Sequence, residues 1–307
     1  MWVAPDSRSS DEQLPSARSA AASSATTAPA PTDRTRTPPP LPIALRPFTA
    51  FDIVDGAIGV LKAAPLTVLS AAAVFVVPVE LLVAWFDHGA SGRSGIAGSF
   101  RLIASQVDDA GGARGLDAWL LLGLVSLSLT FLAGALGFLV ASWYGGRNPT
   151  IAETVLAPLH RGPTLVVAWC GVHAVEAVLG LAGGLPGLLV MPLFALTAPA
   201  IVVEDLGPFA GIRRSWRLSL SRFGSAVGVI VLIALVDVVL TVALSPIGAL
   251  LGAAGAGMAA DLLCTAAASM VTMSFVAAAT TLLYLDRRVR AEGLDLELGI
   301  TEHFRAP

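Results

Sequence analysis

Six apolar stretches constrain the fold of this chain more than any other feature. They lie at about residues 66–86, 119–144, 164–181, 188–203, 224–251 and 258–284. A helix needs about 20 predominantly apolar residues to cross the hydrocarbon layer of a bilayer. Only 13% of the residues are charged, whereas soluble domains have about 25%. The chain is therefore predicted to be an all-α membrane protein with six transmembrane helices.

The third and fourth stretches are the shortest. Residues 183–187 (GGLPG) between them are typical of a turn. Pro192 and Pro199 are expected to kink the fourth stretch, which a bundle tolerates when neighbouring helices bind the freed backbone groups. Two crossings are predicted for residues 164–203, with a re-entrant hairpin as the alternative.

Three short segments, opened by Pro47, Pro149 and Pro208, each precede a pair of apolar stretches. The first and the third carry apolar residues at helical spacing on one face and charged residues on another, a pattern typical of helices that lie in a membrane surface. The sequence thus predicts three helical hairpins, each preceded by a cytoplasmic interfacial amphipathic helix. An internal repeat and a chance similarity of three hairpins both fit this pattern.

The basic residues indicate which side of the membrane each loop occupies. Sixteen of the nineteen Lys and Arg residues lie in residues 1–64, 145–163, 204–223 and 285–307, against three in residues 87–117. Segments rich in Lys and Arg stay in the cytoplasm, so both termini are predicted to be cytoplasmic, in a bacterial plasma membrane. No cleavable signal peptide is recognised, because the first apolar run begins only after Pro65.

Composition divides the chain into three parts. Residues 1–45, rich in Pro, Ser, Ala and Thr, are predicted to be a disordered tail. Residues 46–298 are predicted to form the six-helix membrane domain, and residues 299–307 a C-terminal tail. Cys170 and Cys264 lie in apolar stretches at different depths and are expected to be free thiols.

The segment after Pro208 is the most basic one between two apolar stretches. One helical face carries an apolar set, and another carries arginines that are expected to lie among anionic headgroups, at about 1 kcal/mol each. The apolar set is Phe209, Ile212, Trp216 and Leu220. The residues predicted to contact lipid headgroups or a partner are Arg213, Arg214, Arg217, Arg222 and Trp216. The predicted partners are anionic membrane lipids and a membrane protein; nucleic acid is excluded because the basic residues are distributed by membrane side.

Ionisable residues inside the apolar stretches form the candidate intramembrane site. They are Glu80, His173, Glu176, Asp237 and Asp261. Ionisable residues inside a membrane segment usually have a function. Counting residues from the cytoplasmic ends of the stretches, at about 1.5 Å per residue, places His173 near the midplane of the membrane and the acids in its outer half. One interpretation is a shared cation or proton site. The other is structural, with the acids capping helices or reaching interfacial water. Neither a metal nor a cofactor is predicted.

No catalytic motif is present in the sequence. Residues 173–176 (HAVE) differ from the HExxH of zinc proteases, no GxSxG occurs, and no serine or threonine has an evident partner base. An enzyme is therefore not predicted.

Three stretches carry a resemblance to a known family. They are residues 45–56 (LRPFTAFDIVDG); residues 198–204 (APAIVVE) with 213–217 (RRSWR), Arg222 and Phe223; and residues 284–297 (YLDRRVRAEGLDLE). Together they resemble actinobacterial integral membrane proteins related to the membrane domain found beside glycerophosphoryl diester phosphodiesterases. The resemblance covers about residues 45–298 and implies a six-span membrane domain. It does not imply phosphodiesterase activity, because the hydrolase needs a soluble metal-binding barrel that no stretch of this chain supplies.

Two functions from different classes are consistent with these patterns. The leading hypothesis is a non-enzymatic membrane protein that organises lipid or a partner complex through its cytoplasmic amphipathic helices. The alternative is a small proton- or cation-coupled transporter or channel that uses the intramembrane acids and His173.

Overall fold

The computed structural model describes residues 46–86, 114–181, 185–251 and 257–294, and these residues are helical apart from short connections. The predicted tails at residues 1–45 and 299–307 and most of the 87–117 loop lie outside the described residues. The helices are α1 (Ala50–Ala63), α2 (Pro65–Phe86), α3 (Arg114–Tyr144), α4 (Ile151–His160), α5 (Gly162–Leu181), α6 (Leu185–Phe194), α7 (Thr197–Glu204), α8 (Pro208–Leu220), α9 (Phe223–Leu251) and α10 (Gly257–Glu292).

Five helices are long and apolar enough to cross a membrane, which confirms the prediction of an all-α membrane protein. Their candidate spans are Pro65–Val83, Leu122–Tyr144, Gly162–Leu179, Phe223–Leu244 and Leu262–Glu292. The fourth predicted stretch is a shorter apolar segment, Val190–Glu204, so a sixth crossing stays a prediction.

Two predicted boundaries differ from the structure. Residues 185–187 of the predicted turn already belong to α6. The last helix continues to Glu292 rather than ending at residue 284, because no helix breaker occurs before Gly293. Gly293 has a positive φ of 67°, the backbone conformation in which helices often end.

The predicted distortion of the fourth stretch is confirmed as a break between α6 and α7. Pro199 has no N–H and therefore cannot complete the helical ladder there. The Ser215 hydroxyl of α8 binds at the break: it accepts from the Leu196 N–H at 3.1 Å and donates to the Leu193 carbonyl at 2.7 Å. Because Ser215 is fully buried, α8 supplies these hydrogen bonds where water cannot.

Replacing Ser215 with alanine is expected to destabilise the protein by about 1–3 kcal/mol, since a buried N–H and a buried carbonyl each lose their partner. The measurement is thermal unfolding of the detergent-purified protein. Ser221→Ala, at an exposed position just after α8, is the matched control and is expected to change stability little. Equal effects of the two substitutions would contradict a role for Ser215 at the break.

The last helix, α10, lies at the centre of the bundle. It packs against α1, α2, α3 and α9. Every residue from Thr272 to Arg287 except Thr280 is buried, so this half of α10 is enclosed by protein rather than by lipid. The elements around α10 therefore fix the position of its last turns.

The short helices α1 and α4 begin in the same way. Thr49 and Thr150 each accept a hydrogen bond from the backbone three residues later, and Asp52 and Glu153 bind back to the cap. These reciprocal capping boxes satisfy backbone N–H groups that a helix start leaves free. The Thr49 backbone N–H also lowers the pKa of Asp52, as the Thr150 N–H lowers that of Glu153.

Contacts between distant residues place α1, α4 and α8 at one end of the bundle. Phe48, before α1, binds Asp286 near the end of α10. Arg161, after α4, pairs with Asp205, which follows α7. Arg214 of α8 pairs with Glu292 in the last turn of α10. The three predicted surface helices therefore share the end at which α10 finishes.

Candidate functional site

An ion-pair network holds α8 against the end of α10. We call it the Glu204 network; its members are Glu204, Arg214, Tyr284, Arg288 and Glu292. Glu204 accepts from Arg214 Nε at 2.9 Å and from the Tyr284 hydroxyl at 2.6 Å. Arg214 also pairs with Glu292, and Arg288 Nε donates to Glu292 at 3.0 Å. Two carboxylates and two guanidinium groups thus join α7, α8 and α10.

Arg214 was predicted to contact lipid headgroups, but its guanidinium binds within this network instead. Its side chain is mostly buried, and its donors are directed to the carboxylates of Glu204 and Glu292. The hydrogen bond with Glu292, together with the one to Glu204, raises the pKa of Arg214 although burial opposes the shift. Arg214 therefore anchors α8 to the bundle.

The surface of α8 divides into three stripes along the helix: one packs on the protein, one is apolar and exposed, and one is basic and exposed. The buried residues of α8 are Gly211, Ser215, Leu218 and Ser219. Phe209 is 76% and Leu220 54% exposed. Arg213, Arg217 and Arg222 are also exposed. An outward face that is apolar on one side and basic on the other fits the boundary between acyl chains and headgroups.

Trp216 lies where this outward face meets the bundle. Its ring is 5.7 Å from that of Phe194, centroid to centroid, and the side chain stays partly exposed. A tryptophan in this setting presents an apolar body to its neighbour and an N–H to a polar surface, as interfacial tryptophans do.

Exposed apolar side chains also occur on the other two short helices. Phe51 of α1 is exposed beside Asp52 and Asp55, and α4 exposes Ile151, Leu156 and Leu159. Isolated exposed apolar residues are ordinary on a protein surface. Here they recur on three helices at one end of the bundle, together with charged residues, and so form an amphipathic end surface.

A second polar group lies between α3 and α5 inside the candidate spans. We call it the His173 cluster; its members are Ser126, Trp169, His173 and Glu176. Ser126 Oγ lies 2.8 Å from His173 Nε2 and accepts from Trp169 Nε1 at 2.7 Å. Glu176 Oε2 lies 3.8 Å from the same His173 nitrogen. The structure thus brings together two of the predicted site residues, His173 and Glu176, with two others.

The hydrogen-bond partners fix which nitrogen of neutral His173 carries the proton. His173 Nδ1 lies 3.0 Å from the Trp169 carbonyl oxygen, which can only accept, so Nδ1 must carry a hydrogen. Nε2 is then an acceptor, and the Ser126 hydroxyl, 2.8 Å away, is its donor; the Gly123 carbonyl oxygen, at 3.2 Å, is the second acceptor within reach of the same hydroxyl hydrogen. If Nε2 gains a proton, the adjacent Glu176 carboxylate can compensate the charge. In this tautomer Nε2 is the nitrogen of the cluster that can accept a proton, and the Glu176 carboxylate lies 3.8 Å from it.

Packing of α3 against α5 explains why these side chains meet. An ideal Cβ on Gly123 would lie 3.3 Å from the Trp169 ring, so the absence of a side chain at Gly123 lets that ring lie close to α3. Neither Ser126 nor Trp169 was predicted as a site residue, and the prediction that no serine has a partner base is wrong, since Ser126 Oγ lies 2.8 Å from His173 Nε2. The four-residue spacing of Trp169 and His173 on one helix face was the available signal.

The other predicted intramembrane residues lie on different helices. Glu80 of α2 is buried and hydrogen-bonds Ser269 of α10. Asp237 of α9 is fully buried. The side chain of Asp261 lies outside the described residues. Within the described ranges, no group of three or more His, Cys, Asp or Glu residues is arranged to hold a metal ion.

Comparison with known proteins gives one match. Residues 114–287 match the model of the family DUF7847, a domain of unknown function. The curated proteins and the solved structures gave no match. The matched region runs from the first residue of α3 into α10 and includes the His173 cluster and α8. Because it spans more than half of the 307 residues, the chain belongs to the DUF7847 family.

Proposed function

We propose that this protein is a non-enzymatic, multi-pass plasma-membrane protein that gathers anionic lipids, and through them a membrane-protein partner, at the surface formed by α1, α4 and α8. In this proposal the chain crosses six times as three hairpins, each preceded by an interfacial helix, and both termini and the amphipathic end surface are cytoplasmic. Residues 164–203 supply two of these six crossings; the alternative is a re-entrant hairpin, with which the chain would cross four times. Phosphodiesterase chemistry is not part of the proposal.

The outward face of α8 is the observation that carries the proposal. Arg213 and Arg217 are exposed, whereas Arg214 is bound to Glu204 and Glu292. A free arginine at an anionic membrane surface contributes about 1 kcal/mol. The buried side of α8 is held by the Glu204 network and by Ser215, so its arginines are presented from a fixed position rather than from a mobile tail.

The stretches that resemble the membrane domain found beside glycerophosphoryl diester phosphodiesterases support kinship but not catalysis. Residues of all three stretches contact one another: Phe48 binds Asp286, and Glu204 binds Arg214 and Tyr284. The residues that carry the resemblance therefore include those that hold α1, α7 and α8 on α10. We propose a shared architecture on that basis.

Charge reversal of Arg213 and Arg217 together is expected to abolish enrichment of anionic lipid around the protein. Removal of two favourable contacts of about 1 kcal/mol each lowers the local affinity for such lipids about 30-fold. The measurement is the ratio of phosphatidylglycerol to phosphatidylethanolamine retained when the protein is extracted with its lipids in polymer discs. Arg214 stays unchanged in this variant, so the Glu204 network is preserved. An unaltered lipid ratio in a folded variant would contradict the proposal.

A second candidate function, a proton-coupled transporter or channel, is favoured by the His173 cluster alone. The hydrogen-bonded series Trp169, Ser126, His173 provides a base of defined tautomer, with Glu176 beside it. Chains of this kind carry protons across membrane proteins. The intramembrane acids Glu80 and Asp237 are the further residues that such a path would use.

Glu176→Gln and His173→Gln are each expected to reduce proton flux into proteoliposomes by about tenfold or more, if the protein conducts protons, because each removes a proton-accepting group. A pH-sensitive dye inside the vesicles, with an imposed membrane potential, gives the readout, and Asp237→Asn tests the longer path. Cys170→Ser, at an exposed position on the same helix, is the matched control. If vesicles with the wild-type protein show no more proton flux than empty vesicles, the transporter proposal fails and lipid organisation stays the proposed function.

A further inference from the structure

Arg287 of α10 has an almost completely buried guanidinium in which two of the three nitrogens lack a hydrogen-bond partner. The residue is 1% exposed, and neither Nε nor Nη1 has a partner. Its Nη2 donates to the Ser225 hydroxyl at 3.2 Å. A buried polar group without a partner is unfavourable by about 1–3 kcal/mol, and more when the group is charged. Such a group calls for a partner that the protein atoms do not supply, such as a water or an anion.

The charges around Arg287 leave an excess of positive charge. Asp286 Oδ2 is 4.0 Å from Arg287 Nε, which is too far for a hydrogen bond. The other oxygen of Asp286 already accepts from the Phe48 N–H and from Arg290 Nε. Arg290 and Arg222 are near enough for their charges to oppose that of Arg287. Among the described residues whose charges act on Arg287, two are guanidinium groups and one is a carboxylate, and an anion would balance the excess.

The first turn of α9 lies at the same place. Ser225 is its third residue, and the N–H groups of a first turn have no partner within the helix and carry a partial positive charge. Helix starts of this kind bind phosphate groups. An ideal Cβ on Gly224 or Gly228 would meet nothing within 4 Å, so the space beside this turn is open. Ser225 is exposed, so the hydroxyl that accepts from Arg287 Nη2 belongs to a residue at the protein surface.

An apolar stripe continues from this opening along α9. Gly224 and Gly228 are followed on the same helix face by Val231, Leu235 and Val239, each more than half exposed. A phosphate held at the first turn would therefore lie above a strip of lipid-facing side chains. That geometry matches a phospholipid, whose phosphate sits at the membrane surface and whose acyl chains run inward.

We propose that Arg287, Arg222, Ser225 and the first turn of α9 bind the phosphate of one phospholipid, with its acyl chains along Val231, Leu235 and Val239. The proposal deepens the proposed function and rests on it for the nature of the ligand. The two proposals concern different lipids: the site at Arg287 holds one lipid tightly, whereas the exposed arginines of α8 gather a surrounding layer. The phosphate oxygens provide partners for the guanidinium and balance its charge.

Native mass spectrometry of the full-length protein in mild detergent, with added phosphatidylglycerol, tests this site. One retained lipid per chain is expected for the wild type. Arg287→Gln is expected to lower its retention about tenfold, the effect of losing a charge-assisted hydrogen bond. Arg222→Gln, at an exposed position that does not threaten folding, is expected to lower it about fivefold.

Two other ligands and one further variant distinguish a phospholipid site from a site for acyl chains alone, a site for free phosphate, and the lipid layer at α8. Diacylglycerol with the same acyl chains is expected not to be retained, and inorganic phosphate alone is expected not to raise the unfolding temperature. Reversal of Arg213 and Arg217 is expected to leave the single lipid in place even where it abolishes the surrounding enrichment, so the two proposals fail separately. Equal retention by wild type, Arg287→Gln and Arg222→Gln would overturn the site. Retention of diacylglycerol, or stabilisation by inorganic phosphate alone, would overturn the assignment of a phospholipid.

Discussion

Replacement of Gly211 with alanine is expected to separate α8 from α7 and to lower the free energy of unfolding by about 3 kcal/mol. A Cβ at position 211 would lie 2.3 Å from Ile201 Cγ1 and 2.9 Å from its Cδ1. Ile201 is fully buried and has no free space into which to turn. Thermal unfolding of the detergent-purified protein measures the loss, and the lipid ratio in polymer discs reports whether α8 keeps its surface.

Gly228→Ala is the matched control for this substitution. Gly228 is also a helical glycine, but an added Cβ would meet nothing within 4 Å, so the replacement is expected to be neutral or slightly stabilising. A double-mutant cycle with Ile201→Ala tests the contact itself. Ile201→Ala creates a cavity and is destabilising alone, yet it makes room for the new methyl group. A double variant that loses the full sum of both single effects would show that the steric contact is not the cause.

The face of α8 that packs on the protein could not be predicted from hydrophobicity. Sequence analysis assigned an apolar face with Phe209 and Leu220 and a basic face with Arg213, Arg214 and Arg217. The helical period correctly groups the residues of each face. The stripe that packs on the protein, however, is neither of these faces, since it includes Gly211 and Ser215. In a membrane, lipid is as apolar as leucine, and close contacts between helices favour small residues instead. Arg214 was indistinguishable from Arg213 in the sequence because its partners, Glu204 and Glu292, lie on other helices, α7 and α10.

The depth of side chains in the bundle was also only partly predictable. The first, second, third and fifth apolar stretches predict their helices to within five residues at each end, because length and composition determine a span. The positions of the helices relative to one another along the bundle axis do not follow from the sequence. An ideal Cβ on Gly134, ten residues before the end of α3, would lie 3.3 Å from Pro158 and 3.8 Å from Leu165. The end of α4 and the start of α5 therefore lie beside the middle of α3, and Ser126 reaches His173 although their distances from the ends of their own helices differ.

Asp286→Ala is expected to be the most destabilising single substitution considered, at about 3–5 kcal/mol. Asp286 is 3% exposed, and one of its oxygens accepts from the Phe48 N–H at 2.8 Å and from Arg290 Nε at 2.7 Å. Its removal leaves a buried N–H without a partner and Arg287 and Arg290 without their shared carboxylate. Because Arg290 also donates to the Phe48 carbonyl at 2.6 Å, the segment before α1 is expected to loosen from α10.

Hydrogen exchange of the α1 backbone distinguishes this local release from a general loss of stability. Exchange in α1 is expected to accelerate in Asp286→Ala under conditions where α3 remains protected, since Asp286 binds the Phe48 N–H just before α1 and positions Arg290 for the Phe48 carbonyl. Asp286→Asn keeps the shape and one carbonyl acceptor, so it is expected to lose less stability than alanine does. Asp55→Ala, an exposed acid on α1, is the control for loss of charge alone. If α1 exchanges no faster in Asp286→Ala than in Asp55→Ala, the Phe48 contact does not hold α1 on the bundle. If it exchanges faster, the buried carboxylate of Asp286 holds the start of α1 on α10.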